Sequence, residues 1–196
     1  MAKIAFFGYG ANKDYYRLKE ILGKDLKEGE GATIEGFNLA VQSLKNIPEE
    51  PRNILRKVWG DSFQAYTIRK GRGIVAGKVW MLEEEDLERI KQWEFVGKDG
   101  WRELVAVNIT TAGGETITAI TEKSRDQYEV DRFVDGINYE FNLNKEGKRG
   151  YFSEEDEYRV AVLREELRGY YGHYANVCLQ ILKASHIRCV EAMNKS

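Results

Sequence analysis

Apolar residues along the chain fall mostly into short runs bounded by glycine and charged residues, the pattern of a protein built around strands. Residues 3–7 form a brief apolar run that stops at Gly8 and Gly10. After it, Asn12 or Asp14 can cap a helix over 15–22 that ends at Gly23. Further strands are expected at 33–41, 63–68, 74–82, 102–111 and 116–121, several of them rich in β-branched or aromatic residues. Gly113-Gly114 reads as a tight hairpin between the last two. Residues 84–93 read as a helix, whereas Pro48 and Pro51 bracket an acidic segment at 47–52 that reads as a loop. The last third is largely helical, with Ser153 capping a run to Leu167 and a second run over 174–193. The expected fold class is α+β: a small mixed β-barrel or sheet with flanking helices and extra C-terminal helices.

Composition narrows the possibilities. The 196 residues are 42% hydrophobic and 32% charged, the balance of a folded chain, and without an internal linker or repeat residues 1–196 are expected to form a single domain. Thirty Lys and Arg against 32 Asp and Glu leave a formal charge of −2, without the basic excess that binding to nucleic acid needs. No segment approaches the length of apolar sequence that spans a membrane, and no small-residue cleavage site follows the opening run, so a cytoplasmic protein is expected. Cys178 and Cys189 fall on one predicted helix about 16 Å apart along its axis, too far to pair. His173 and His186 have no metal-ligand spacing, so neither a metal nor another cofactor is called for.

Three groups of residues could carry chemistry. In Phe6-Phe7-Gly8-Tyr9-Gly10-Ala11-Asn12, glycines flank a tyrosine at a strand-to-helix junction, where backbone can approach a ligand and helix-start amides can serve as anion donors. An ordinary glycine turn would look the same. Glu94 stands seven and four residues after Leu87 and Ile90, on the apolar face of its helix, so a carboxylate is aimed inward. Such a group must find hydrogen bonds or carry a raised pKa, unless the helix ends at Trp93 and Glu94 turns to solvent. Around it, Trp80, Trp93, Phe95 and Trp101 could wall a pocket or belong to the core. The charged stretch 154–168 reads as a solvated helix face. The aromatic segment 169–174 reads as a helix-helix turn, with a ligand rim or homodimer contact as its other readings.

The first two groups together resemble the gamma-glutamylcyclotransferases and their AIG2-like relatives, which open on a strand ending in Tyr-Gly-Ser-Asn. Later they carry a glutamate after a short helix that follows a Gly-x-Val-Trp/Tyr-x-Leu strand. Here Tyr9-Gly10-Ala11-Asn12, Gly77-Lys78-Val79-Trp80-Met81-Leu82, Asp86-Leu87 and Glu94 come in that order, and Trp101 takes the place of an aromatic residue about seven after the glutamate. The resemblance covers about residues 4–122, leaving 150–196 as a helical addition.

It implies a small barrel with flanking helices and a metal-free reaction in which a gamma-glutamyl amide or peptide closes on itself to 5-oxoproline and releases an amine. Glu94 would be the base that deprotonates the substrate's α-ammonium. Tyr9, Gly10, Ala11, Asn12 and Trp101 would bind this small-molecule substrate, with the Gly10 and Ala11 amides toward its developing charge. Ala11 replaces the usual serine, and Phe95 stands where glycine commonly follows the glutamate. These departures keep open an alternative, a non-catalytic binding or regulatory protein on the same fold.

Overall fold

The computed structural model describes residues 3–97, 100–144 and 154–171. In chain order they form β1 (Ile4–Gly8), a 3-10 turn (Gly10–Lys13), α1 (Tyr15–Leu22), β2 (Glu30–Ser43), α2 (Glu49–Trp59), β3 (Gln64–Leu82) and α3 (Glu84–Trp93). Then come β4 (Arg102–Thr111), β5 (Thr116–Ser124), β6 (Arg132–Val134) and α4 (Glu154–Tyr171). The strands lie in the order β3-β1-β5-β4-β2, and β2 pairs back onto β3, so five strands close into a mixed barrel. β6 adds to the far half of β2, and β1 with β5 is the parallel pairing. The fold is thus α+β, a small barrel flanked by helices.

Alternation along β1 divides the interior in two. Phe6 points to the cluster beneath the helices, with Leu18, Trp80 and Ile90, while Phe7 points into the barrel with Leu39, Ile68 and Val75. β3 passes β1 closely at Gly77, where a Cβ would stand 2.5 Å from both the Gly8 carbonyl oxygen and the Phe7 ring. That close passage is the physical content of the Gly77-x-Val79-Trp80 pattern.

α1, α3 and β4 have the limits expected from sequence, and the Asp14 side chain caps α1 by accepting from the Tyr16 and Arg17 N–H groups at 2.7 and 3.3 Å. Three expectations need correction. Residues 47–52 are not simply a loop: α2 begins at Glu49, with Pro48 at its cap and Pro51 in its first turn, where no intrahelical N–H is required. From Gln64 onward, segments 63–68 and 74–82 are parts of one strand, β3, whose ladder with β2 runs past Gly71 and Gly73 by means of a bulge between Glu35 and Phe37. Gly169-Tyr170-Tyr171 continues α4 instead of turning.

Nor is α4 a wholly solvated face. Leu163 and Leu167 are buried in the cluster beneath the helices, and buried Arg164 meets Glu20 of α1 at 3.1 Å. Ser153, the expected helix 174–193, Cys178, Cys189, His173 and His186 lie outside the described residues. Among the described residues no helix is long and apolar enough to cross a membrane, and no group of three or more His, Cys, Asp or Glu could hold a metal ion.

Candidate active site

A cleft partly open to solvent lies where the end of β1, the 3-10 turn and the end of α3 meet β4 and β5. Tyr9, Gly10, Ala11, Asn12, Glu94 and Trp101 all line it, so the two groups singled out in the sequence converge. Trp93 and Phe95 also line it, whereas Trp80 sits behind the turn and donates its indole N–H to the Asn12 carbonyl at 3.0 Å. Gly10 has φ +56, and a Cβ there would come within 2.9 Å of the Tyr66 ring, so this turn requires glycine.

Glu94 follows the last turn of α3 and is buried, at 7% exposure. Its two oxygens differ. Oε1 accepts from Arg17 Nη2 at 2.8 Å and from Asn12 Nδ2 at 3.1 Å. Among the described residues Oε2 accepts no hydrogen bond, and the cation it faces, Arg102 Nη1, stands at 3.6 Å. Asn12 is held in turn by Arg17 Nε, which donates to its Oδ1 at 3.1 Å. Burial pushes the Glu94 carboxyl up, but the Arg102 and Arg17 charges and the bonds from Arg17 and Asn12 outweigh it and hold the group below the usual carboxylate range. Glu94 therefore stays an anion at neutral pH.

The other sequence-indicated residues are similarly engaged. The Tyr9 hydroxyl donates to the Glu122 carbonyl at 2.7 Å, and burial together with Glu122 keeps its phenol protonated well above its ordinary range. Gly10 donates its N–H to the Tyr139 hydroxyl at 3.2 Å. Trp101 donates to Gln42 Oε1 at 3.3 Å, and its ring lies 4.4 Å from the Arg102 guanidinium.

Three charged groups of the cleft escaped sequence reasoning: Arg17, Arg102 and Glu122. Glu122 is buried, receives a close hydrogen bond from Arg102 Nη1, and lies 3.1 Å from the Tyr9 hydroxyl and 3.4 Å from Asn12 Nδ2. Burial raises its carboxyl and the Glu94 charge adds to that. Arg102 opposes both, leaving the group at about 7. The site therefore pairs two carboxylates with two guanidinium groups, a balanced set that limits the cost of removing each from water.

Neither a protein-family model nor a curated protein matches this sequence. Solved structures do. One named gamma-glutamyl cyclotransferase superposes with a TM-score of 0.54 at 16% identity, over 91% of this chain and 86% of that one. An uncharacterized protein from Homo sapiens gives 0.53 at 17% identity, over 92% and 87%. The chain has the gamma-glutamylcyclotransferase fold. The likeness extends beyond residues 4–122, which carry the resemblance in sequence. At these identities the shared property is the fold, and the chemistry must be argued from the cleft.

Proposed function

We propose that the protein is a cyclotransferase that closes a gamma-glutamyl amide or peptide to 5-oxoproline and releases an amine. The observation that carries this reading is the asymmetry of Glu94 in the cleft: Oε1 accepts from Arg17 and Asn12, while among the described residues Oε2 accepts no hydrogen bond and has only the looser ion pair with Arg102 at 3.6 Å. An α-ammonium placed against Oε2 meets a fixed anion that can take its proton. The freed amine attacks the γ-carbonyl carbon of the same molecule, forming the ring C–N bond and pushing electrons onto the carbonyl oxygen. In this reading the backbone amides of the Gly10-Ala11 turn receive that charge, the Gly10 N–H by exchanging the Tyr139 hydroxyl it now meets for the ligand. The Glu94 carboxyl then gives that proton to the departing nitrogen as its bond to carbon breaks, and the carboxylate so restored takes the second proton from the ring nitrogen and passes it to the released amine, leaving 5-oxoproline and an alkylammonium.

A binding protein on the same fold is the second reading. It is favoured by the two guanidinium groups that hold Glu94 below the usual range and so weaken it as a base. Product identity separates the two. Incubation with a panel of gamma-glutamyl amines, gamma-glutamyl amino acids and glutathione, followed by mass spectrometry, should show 5-oxoproline. Free glutamate would instead indicate hydrolysis, and an unchanged panel would favour the binding protein.

A further inference from the structure

Arg102 Nη1 faces both carboxylates of the cleft. It is hydrogen-bonded to Glu122 Oε2 and stands 3.6 Å from Glu94 Oε2, while Nη2 donates to the Tyr66 carbonyl at 3.0 Å. The guanidinium is thus drawn to the Glu122 side of a narrow gap. If Glu122 carried no charge, the nearest anion for Nη1 would be Glu94 Oε2, the oxygen assigned above to the substrate ammonium. The ion pair already present there at 3.6 Å would then tighten into a hydrogen-bonded one, which the ammonium would have to break in order to bind.

We propose that Glu122 is a positioning residue that holds the Arg102 guanidinium off Glu94 Oε2 and so keeps that oxygen open to a substrate α-ammonium. The substrate half of this statement rests on the cyclotransferase reading; the Arg102 half does not. Among the described residues, the polar groups that face Glu122 are Tyr9 just after β1, Asn12 from the 3-10 turn, Arg102 from β4 and Glu94 from the end of α3, with Arg17 of α1 on the far side of Glu94. Tyr9 stays protonated, Arg102 stays charged and Glu94 is held below the usual carboxylate range, so the group among these that changes charge near neutrality is Glu122, at about 7. Below that pH the restraint on Arg102 is released; above it the restraint is complete.

The test compares the wild type with Glu122→Gln, Glu122→Asp and the double variant Glu122→Gln with Arg102→Met, using L-gamma-glutamyl-p-nitroanilide as probe and melting temperature as a check on folding. In the wild type KM rises as pH falls through about 7. Glu122→Gln raises KM on the order of tenfold at pH 8, with a smaller change in kcat, and abolishes that pH dependence. Glu122→Asp, which keeps the charge, retains it. Removing Arg102 in the double variant brings KM back toward wild type, because the competing cation is gone. An unchanged KM in Glu122→Gln, or a double variant whose KM is no lower than that of Glu122→Gln, overturns the proposal.

Crystal structures of the wild type on either side of pH 7 test the Arg102 half without substitution or turnover. Arg102 should move to within hydrogen-bond distance of Glu94 Oε2 at acid pH, and an unmoved guanidinium refutes it. Movement of Arg102 together with a wild type that makes no 5-oxoproline would retain the positioning role and reject the cyclotransferase reading.

Discussion

Phe95, the residue immediately after Glu94, shows how this site departs from a simpler one. It has φ 55, in the left-handed region, where a bulky side chain costs about 1–2 kcal/mol relative to glycine. What holds it there is burial: at 1% exposure its ring packs against Trp101 and Tyr170, with centroids 6.4 and 5.5 Å away. Complete burial of a phenylalanine outweighs strain of that size, so Phe95→Ala should cost about 3–5 kcal/mol in chemical denaturation. Phe95→Gly, freed of the strain, should recover about 1 kcal/mol of that. A glycine variant as stable as the wild type would show that strain, not packing, dominates at this position. Sequence spacing located Glu94 because Leu87 and Ile90 mark its face of α3. It could not locate the partners: Arg17 stands among Tyr16, Lys19 and Glu20 and looks like one more surface charge, and Glu122 lies one residue past the expected end of its strand at 121.

Each element delivers one part of the cleft, and their local signals differ in strength. α1 was legible because Asp14 and Gly23 mark both ends, and it supplies Arg17 from its first turn. The cap should therefore matter to the site as well as to the helix. Asp14→Ala should cost about 1 kcal/mol in thermal or chemical denaturation, since two backbone N–H groups lose their acceptor. Weaker probe binding should accompany it as Arg17 loses its fixed origin. Loss of only a few tenths would mean that Leu18, Ile21 and Leu22 hold α1 by packing alone. α2 was illegible because two prolines close together suggest a break, although Pro51 sits where a helix tolerates it. The apolar residues Ile54, Leu55, Val58 and Trp59 carried a helical spacing that could have revealed it. The division of β3 into two strands had a similar origin, as glycine and charge at 70–73 mimic a turn in a strand that in fact bends through a bulge.

Across the whole molecule, closure of the barrel is what assembles the chemistry. β1 pairs with β3 on one side and β5 on the other, which sets Tyr9 beside Glu122, 113 residues later in the chain. The 3-10 turn then brings Asn12 to Glu94, 82 residues away. Such long-range pairings leave no periodicity in sequence, so the fold class and the two motifs could be read but the charge network could not. The measurement that bears most directly on the function is 5-oxoproline formation by the wild type and by Glu94→Gln, compared on a gamma-glutamyl substrate at matched melting temperature. The proposed mechanism predicts product from the wild type and at least a hundredfold loss in the variant, the scale of a removed general base. Equal rates from the two proteins would contradict the role of Glu94 and, with it, the mechanism built on its open oxygen.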